Sequence, residues 1–231
     1  MCGRYAIDAE VNDMIIEFVL ATGQSPHDWR PGWQAEQVFR PTDPVPILIE
    51  TLVDRKDPEG PTQRRAEAAQ WWLTPSFAKE LRGKHPTFNA RSETVTELAS
   101  YRGPVKRQRA VLPARGYFET QTEGKTKTPH FVQAPEGPLF FAGLYSWWAD
   151  PRKPETDPER WHLTTTILTR SAIGDVAQIH PRTPLCLPAD WIEEWIDPKQ
   201  LGTAEFVASA LAASDPVVRG LRFGPAPANR A

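Results

Sequence analysis

Residues 110–120 read AVLPARGYFET, and three later segments share their character: PHFVQA (129–134), PLFFAGLYSWW (138–148) and HLTTTILT (162–169). Each is rich in β-branched and aromatic residues, and each is bounded by polar, turn-forming stretches such as TEGKTKTP (122–129) and ADPRKPETDPER (149–160). Such runs suit the pleated surface of a sheet and predict four strands. Upstream, VPILIETLV (45–53) reads as another strand and AEAAQWWL (66–73) as a strand in preference to a short helix, the two joined by a charged hairpin tip over 54–65. Helices are few. Val11, Ile15, Phe18 and Val19 recur at helical spacing over 9–21, and Gly23 ends that run. Short helices are expected over 94–102, 172–179, 188–196 and 204–213, brief strands over 184–187 and 216–223, and a frayed tail over 224–231. Residues 24–44 and 74–92 read as loop. No internal repeat or long linker divides the chain. The expected fold is α+β: one domain over 1–231, with a curved, mostly antiparallel, barrel-like sheet and short flanking helices.

Composition narrows the function. At 231 residues and 40% hydrophobic, the chain can bury a sizeable core. A net charge of −2 rules out a bulk polycation, so nucleic-acid binding would need a local basic groove. Nine tryptophans offer core volume or flat faces for stacking on bases. Two cysteines, Cys2 and Cys186, provide neither a disulfide framework nor a zinc cluster, and the five histidines show no metal-ligand spacing. No metal and no cofactor is expected. Neither a signal peptide nor a membrane span is legible, which predicts a reduced, cytoplasmic protein.

Cys2 is the residue whose chemistry depends most on its position. Once Met1 is removed it carries a thiol and an α-amine on adjacent carbons, with ordinary pKa values of about 8.5 and 7.7–8.0. Such a pair captures an aldehyde: the amine forms an imine and the sulfur closes it to a thiazolidine. A second-position cysteine can equally be an accident of the gene start. Four segments place polar groups among turn and core residues: CGRY (2–5), FNARSE (88–93), RGYFE (115–119) and IHPRTP (179–184). Glu119 follows Tyr117 and Phe118; half-buried, it would suit proton transfer, and otherwise it is an ordinary strand-end acid. His180, before Pro181 and Arg182, is either a proton donor or a structural histidine.

Taken together, Met1-Cys2-Gly3-Arg4, Asn89-Ala90-Arg91 with Glu93, Gly116-Tyr117-Phe118-Glu119, and His180 with Arg182 and Pro184 resemble the SOS response-associated peptidase family in content, order and spacing. Members of that family are abasic-site processing proteins that crosslink to DNA. The resemblance implies a self-crosslinking, lyase-like activity on abasic sites in single-stranded DNA, with the peptidase (hydrolase) character of the family name. It makes Cys2 the nucleophile, Glu119 the holder of its amine and shuttle of its proton, His180 the proton donor to the sugar ring oxygen, and Asn89 the residue that orients the sugar. It assigns Arg4, Arg91 and Arg182 to phosphates, Trp71 and Trp72 to base stacking or the groove lining, and Pro41 to a wedge beside the lesion. The implied partner is abasic single-stranded DNA, met by a monomer that joins the nucleoid when it acts.

The chain departs from the family at Thr120 (usually tryptophan), Pro181 (often aspartate), Val38-Phe39-Arg40-Pro41 (Asn-Val-Ala-Pro) and Trp72 (glycine). These bear on groove shape and affinity and remove no proposed catalytic group. Two other readings stay open: an N-terminal-nucleophile peptidase or amidase using Cys2, and a noncatalytic single-strand binding module whose affinity is carried by salt-sensitive phosphate contacts.

Overall fold

The structure, a computed structural model, describes residues 2–23 and 32–227. In chain order the elements are β1 (Tyr5–Ile7), α1 (Ala9–Ala21), β2 (Gln37–Phe39), β3 (Pro44–Leu52), β4 (Thr62–Trp71), β5 (Asn89–Arg91), α2 (Pro104–Arg107), β6 (Arg109–Ala114), β7 (Gly116–Glu123), β8 (Thr126–Gln133), β9 (Leu139–Ala149), β10 (Trp161–Ser171), β11 (Arg182–Pro184), β12 (Cys186–Leu187), α3 (Ile192–Ile196), α4 (Ala204–Gly220) and β13 (Arg222–Pro225). One sheet runs β13-β8-β7-β1-β2. In the other, β10 bonds to β4 on one side and β9 on the other, while β4, β3, β6 and β9 pair in turn. That circuit closes a five-strand barrel, which removes free edges from the core. Only the pairs of β10 with β4 and with β5 are parallel. The expected curved, mostly antiparallel α+β architecture is the one observed.

Closure explains the near-continuous burial of β3, β9 and β10. Thr164, Thr165 and Thr169 of β10 behave as valine-shaped core residues that return a hydroxyl to a neighbouring strand. Thr164 donates to the Ser146 carbonyl at 3.1 Å and Thr165 to that of Leu144 at 2.9 Å. Arg109 is almost wholly buried, and its guanidinium donates to the carbonyls of Val105, Lys106, Trp195, Asp197 and Gln200. It ties α2 and α3 to the barrel.

Several local expectations need correction. AVLPARGYFET is two strands: the chain bends at Arg115, leaves the barrel with β6 and enters the second sheet with β7. Gly116 permits the bend, since a Cβ there would strike the Val132 carbonyl oxygen and the Phe131 ring. The polar stretch after it is mostly strand, because Gly124 (φ +59°) lets a two-residue turn join β7 to β8. Residues 94–102 form successive turns rather than a helix, consistent with β-branched Thr94, Val95 and Thr96 and with Pro104 just beyond. The last helix runs through Pro216 to Gly220, so the strand expected over 216–223 shrinks to Arg222–Pro225. Burial of Val207, Ala210, Ser214 and Val218 carries the helical period past the proline. β13 takes in Gly224 and Pro225, while residues 228–231 of the expected tail lie outside the described residues.

Gly116→Ala is expected to lower stability by about 1–3 kcal/mol, since the added methyl meets backbone that cannot move alone. Urea unfolding of the two proteins would read this as a lower midpoint for the variant.

Candidate functional site

The chain start is positioned by strand register. Tyr5 pairs with Tyr117 and Ala6 with Gly116, and continuing that antiparallel register sets Gly3 opposite Glu119. The Phe118 N–H donates to the Arg4 carbonyl at 2.8 Å. Tyr5 anchors the strand, its ring 5.0 Å from Phe39, 5.2 Å from Trp71 and 5.8 Å from Phe141, so both sheets grip it.

The other groups come from the barrel. β5 lies parallel to β10, with Asn89 opposite Ile167 and Arg91 opposite Thr169. β11 pairs with the end of the same strand, setting Arg182 opposite Ser171. A 3₁₀ turn over Gly174–Gln178 delivers His180 just before β11. The site therefore sits where the two sheets meet: Cys2 and Glu119 come from one, Asn89, His180 and Arg182 from the other. The Asn89 amide crosses the junction and donates to the Cys2 carbonyl at 2.7 Å. His180 Nδ1 is 3.9 Å from Glu119 Oε2. The same nitrogen is 3.0 Å from both the amide nitrogen and the carbonyl oxygen of Arg182. A neutral ring accepts from the first; a protonated ring donates to the second. Either protonation state thus keeps the ring in place.

Cys2 is fully buried, its sulfur 3.6 Å from the Arg4 carbonyl. Burial, and then the Glu119 charge, push its thiol pKa well up. Met1 lies outside the described residues. Beside Cys2, a cleft of about 330 Å³ is lined by Gly3, Arg4, Arg40, Pro41, Phe118, Glu119 and Thr120. The Arg4 guanidinium stacks 4.5 Å above the Phe118 ring. Burial and then the Arg40 charge hold its pKa below the ordinary value, as for two cations crowded around space for an anion. Arg40 is set by a tight turn: its N–H donates to Asp43 at 2.8 Å, and Thr42 adopts φ +85°, rare for a β-branched residue.

The structure brings Cys2, Asn89, Glu119 and His180 together, with Arg4 and Pro41 on the adjoining cleft. Arg91 is exposed on β5. Arg182, expected on a phosphate, is instead held by a bidentate pair with Glu93 at 2.5 and 2.9 Å and by the Thr169 carbonyl at 2.6 Å. That pair holds the Glu93 carboxyl below its usual pKa. Trp71 has no face to offer a base: it is wholly buried and its indole N–H donates to the Phe88 carbonyl at 2.8 Å. Trp72 is half-buried, tilted against Phe88, with a buried indole N–H that has no partner among the described residues. Arg40 lines the cleft without having been among the sequence candidates; the available signal was a cation directly before Pro41.

A family model described as SOS response associated peptidase matches residues 1–219. The chain belongs to this family. Its relatives include the abasic site processing protein YoqW of Bacillus subtilis, 29% identical over 201 residues covering 86% of this chain and 81% of that one. The abasic site processing protein HMCES of Gallus gallus is 30% identical over 206 residues, covering 76% of this chain and 60% of that protein. Among solved structures, a Bacteroides thetaiotaomicron protein superposes with a TM-score of 0.72 at 20% identity, covering 99% of this chain and 93% of that one, and thus shares the fold. No described helix is long and apolar enough to cross a membrane.

The second cysteine, buried on β12, gives a pH test of core burial. Burial pushes the Cys186 thiol up to about 12, well above its ordinary range. Across that interval the unfolded chain loses a proton that the folded chain keeps, so stability falls as pH rises. Urea midpoints in reductant should drop between pH 9 and 11, and Cys186→Ala should flatten that drop; an equal slope in both proteins would contradict it.

Proposed function

We propose that this protein processes abasic sites in single-stranded DNA by capturing the ring-opened sugar aldehyde on Cys2 after Met1 is removed. The observation that carries this reading is the Asn89 amide holding the Cys2 carbonyl beside the Glu119–His180 pair. That arrangement fixes the residue that would bear both nucleophiles next to an acid and an imidazole. The α-amine acts first, because burial keeps the thiol protonated. Its nitrogen attacks the sugar C1 carbonyl and one water leaves, giving an imine. The sulfur then attacks the imine carbon, and its proton ends on the ring nitrogen, so aldehyde plus aminothiol become thiazolidine plus water. Glu119 accepts and returns the protons of amine and thiol. His180 protonates the sugar ring oxygen during opening and serves the reverse step. Asn89 orients the Cys2 end against the sugar. Arg4 and Arg40 hold the flanking phosphate in the cleft, with Pro41 beside the lesion, and Arg91 takes a phosphate on the opposite sheet. Trp72 offers a face to a neighbouring base. Arg182 serves by fixing His180 through its backbone while Glu93 holds its side chain.

A peptidase using the same cysteine needs a thiolate, and a buried thiol with a raised pKa beside a carboxylate counts against that reading.

Incubation of the mature protein with an abasic single-stranded oligonucleotide, followed by denaturing electrophoresis, tests the proposal. A shifted band that survives denaturation is expected for the wild type and none for Cys2→Ala; a normal yield from Cys2→Ala would overturn the mechanism. Glu119→Gln and His180→Ala should each slow adduct formation by about 10²-fold or more, in line with lost acid–base catalysis, with urea midpoints close to wild type.

A further inference from the structure

Toward the other end of β10 from the Cys2 site lies a second surface that this chemistry does not use. Two cavities, of about 550 and 430 Å³, share Arg55, Gly103, Lys106 and Gln108 and so form one trough. One wall carries Arg55, Arg102 and Lys106, all exposed. The other carries Phe77, Trp147 and Trp161. Phe77 is 66% and Trp161 55% exposed, the most exposed aromatic side chains among the described residues. Trp161 pairs with Ala149 and Leu163 with Trp147, so the two indoles stand on one face of the sheet, diagonal to each other. Among the described residues lining either cavity there is no aspartate or glutamate, and Arg55, Arg102 and Lys106 make no ion pair. In a chain of net charge −2, three unpaired cations facing exposed aromatic rings are a local concentration that solvation alone does not require.

The geometry points to a second binding surface for single-stranded nucleic acid in this trough, with bases stacked on Trp161 and Phe77 and phosphates against Arg55, Arg102 and Lys106. Flat rings accept any base, and a row of cations tracks a backbone without reading sequence. An open trough made of two joined cavities suits a strand passing across it better than one enclosed nucleotide. It is separate from the Cys2 site: Trp161 opens β10 and Thr169, beside Arg91 and Arg182, lies eight residues further along that strand, roughly 26 Å away at about 3.3 Å per residue. The inference shares strand binding with the proposed function and does not depend on Cys2 chemistry.

The test uses the full chain with undamaged oligothymidylate carrying 5-iodouracil. Irradiation and peptide mapping should find crosslinks on peptides containing Phe77 or Trp161. The double variant Arg102→Glu/Lys106→Glu should bind the strand about tenfold more weakly at low salt. Its slope of log affinity against log salt should be shallower by about 1.4, from two phosphate contacts at about 0.7 each. Trp161→Ala should lose affinity with an unchanged salt slope. At saturating abasic oligonucleotide all these variants should form adduct at wild-type yield, so failure of the Cys2 mechanism would show separately, as no adduct from the wild type. Crosslinks confined to peptides around Arg4 and Trp72, with unchanged affinity in the double variant, would overturn the inference. So would a free deoxynucleotide that quenches Trp161 while strand affinity is the same in every variant, since the trough would then be a mononucleotide site.

Discussion

One hydrogen bond joins the two halves of the candidate site: the Asn89 side-chain amide, on the barrel, donates to the Cys2 carbonyl, at the start of the second sheet. An extended chain end has many conformations, and ordering one residue costs about 1–2 kcal/mol of backbone entropy. The pairing of β1 with β7 and the burial of Tyr5 offset part of that cost, and the Asn89 contact holds Cys2 ahead of the strand's start. Without that contact Cys2 would be held from one sheet alone, while its imidazole neighbour belongs to the other.

The sheet junction also sets the electrostatics. A fully buried thiol next to a carboxylate is a poor thiolate and a well-protected thiol. For hydrolysis that is a handicap. For ordered capture by amine and then sulfur it is an advantage, because the sulfur stays unreactive until an imine carbon is placed beside it. Arg4 and Arg40 create the opposite field a few residues away, in a cleft with room for a phosphate.

The architecture was legible because the barrel strands carry their own signal: long apolar, β-branched runs bounded by polar turns. The candidate site was legible through the order of four short blocks and not from any one residue, and the fold brings residues of those blocks together at the sheet junction. Errors fell where tertiary structure overrides local pattern. Nothing in AVLPARGYFET announces that the strand changes sheets at Arg115; the crowding at Gly116 that allows it comes from Phe131 and Val132, on a different strand. Pro216 reads as a helix stop, yet packing of Ser214 and Val218 carries the helix through it. Adjacent tryptophans look equivalent in sequence, but strand alternation sends Trp71 into the core and leaves Trp72 half-buried. The pairing of Arg182 with Glu93 was not legible, because the two residues lie 89 apart in the chain.

In the proposed reaction one residue offers both its amine and its sulfur to a single sugar carbon. Peptide mass spectrometry of the DNA-linked protein, digested and treated with an alkylating reagent without borohydride reduction, tests it most directly. The expected product is a peptide beginning at Cys2 that carries the sugar with loss of one water and takes up no alkyl group. A sugar found on a lysine, or on a Cys2 peptide whose thiol still alkylates, would contradict it.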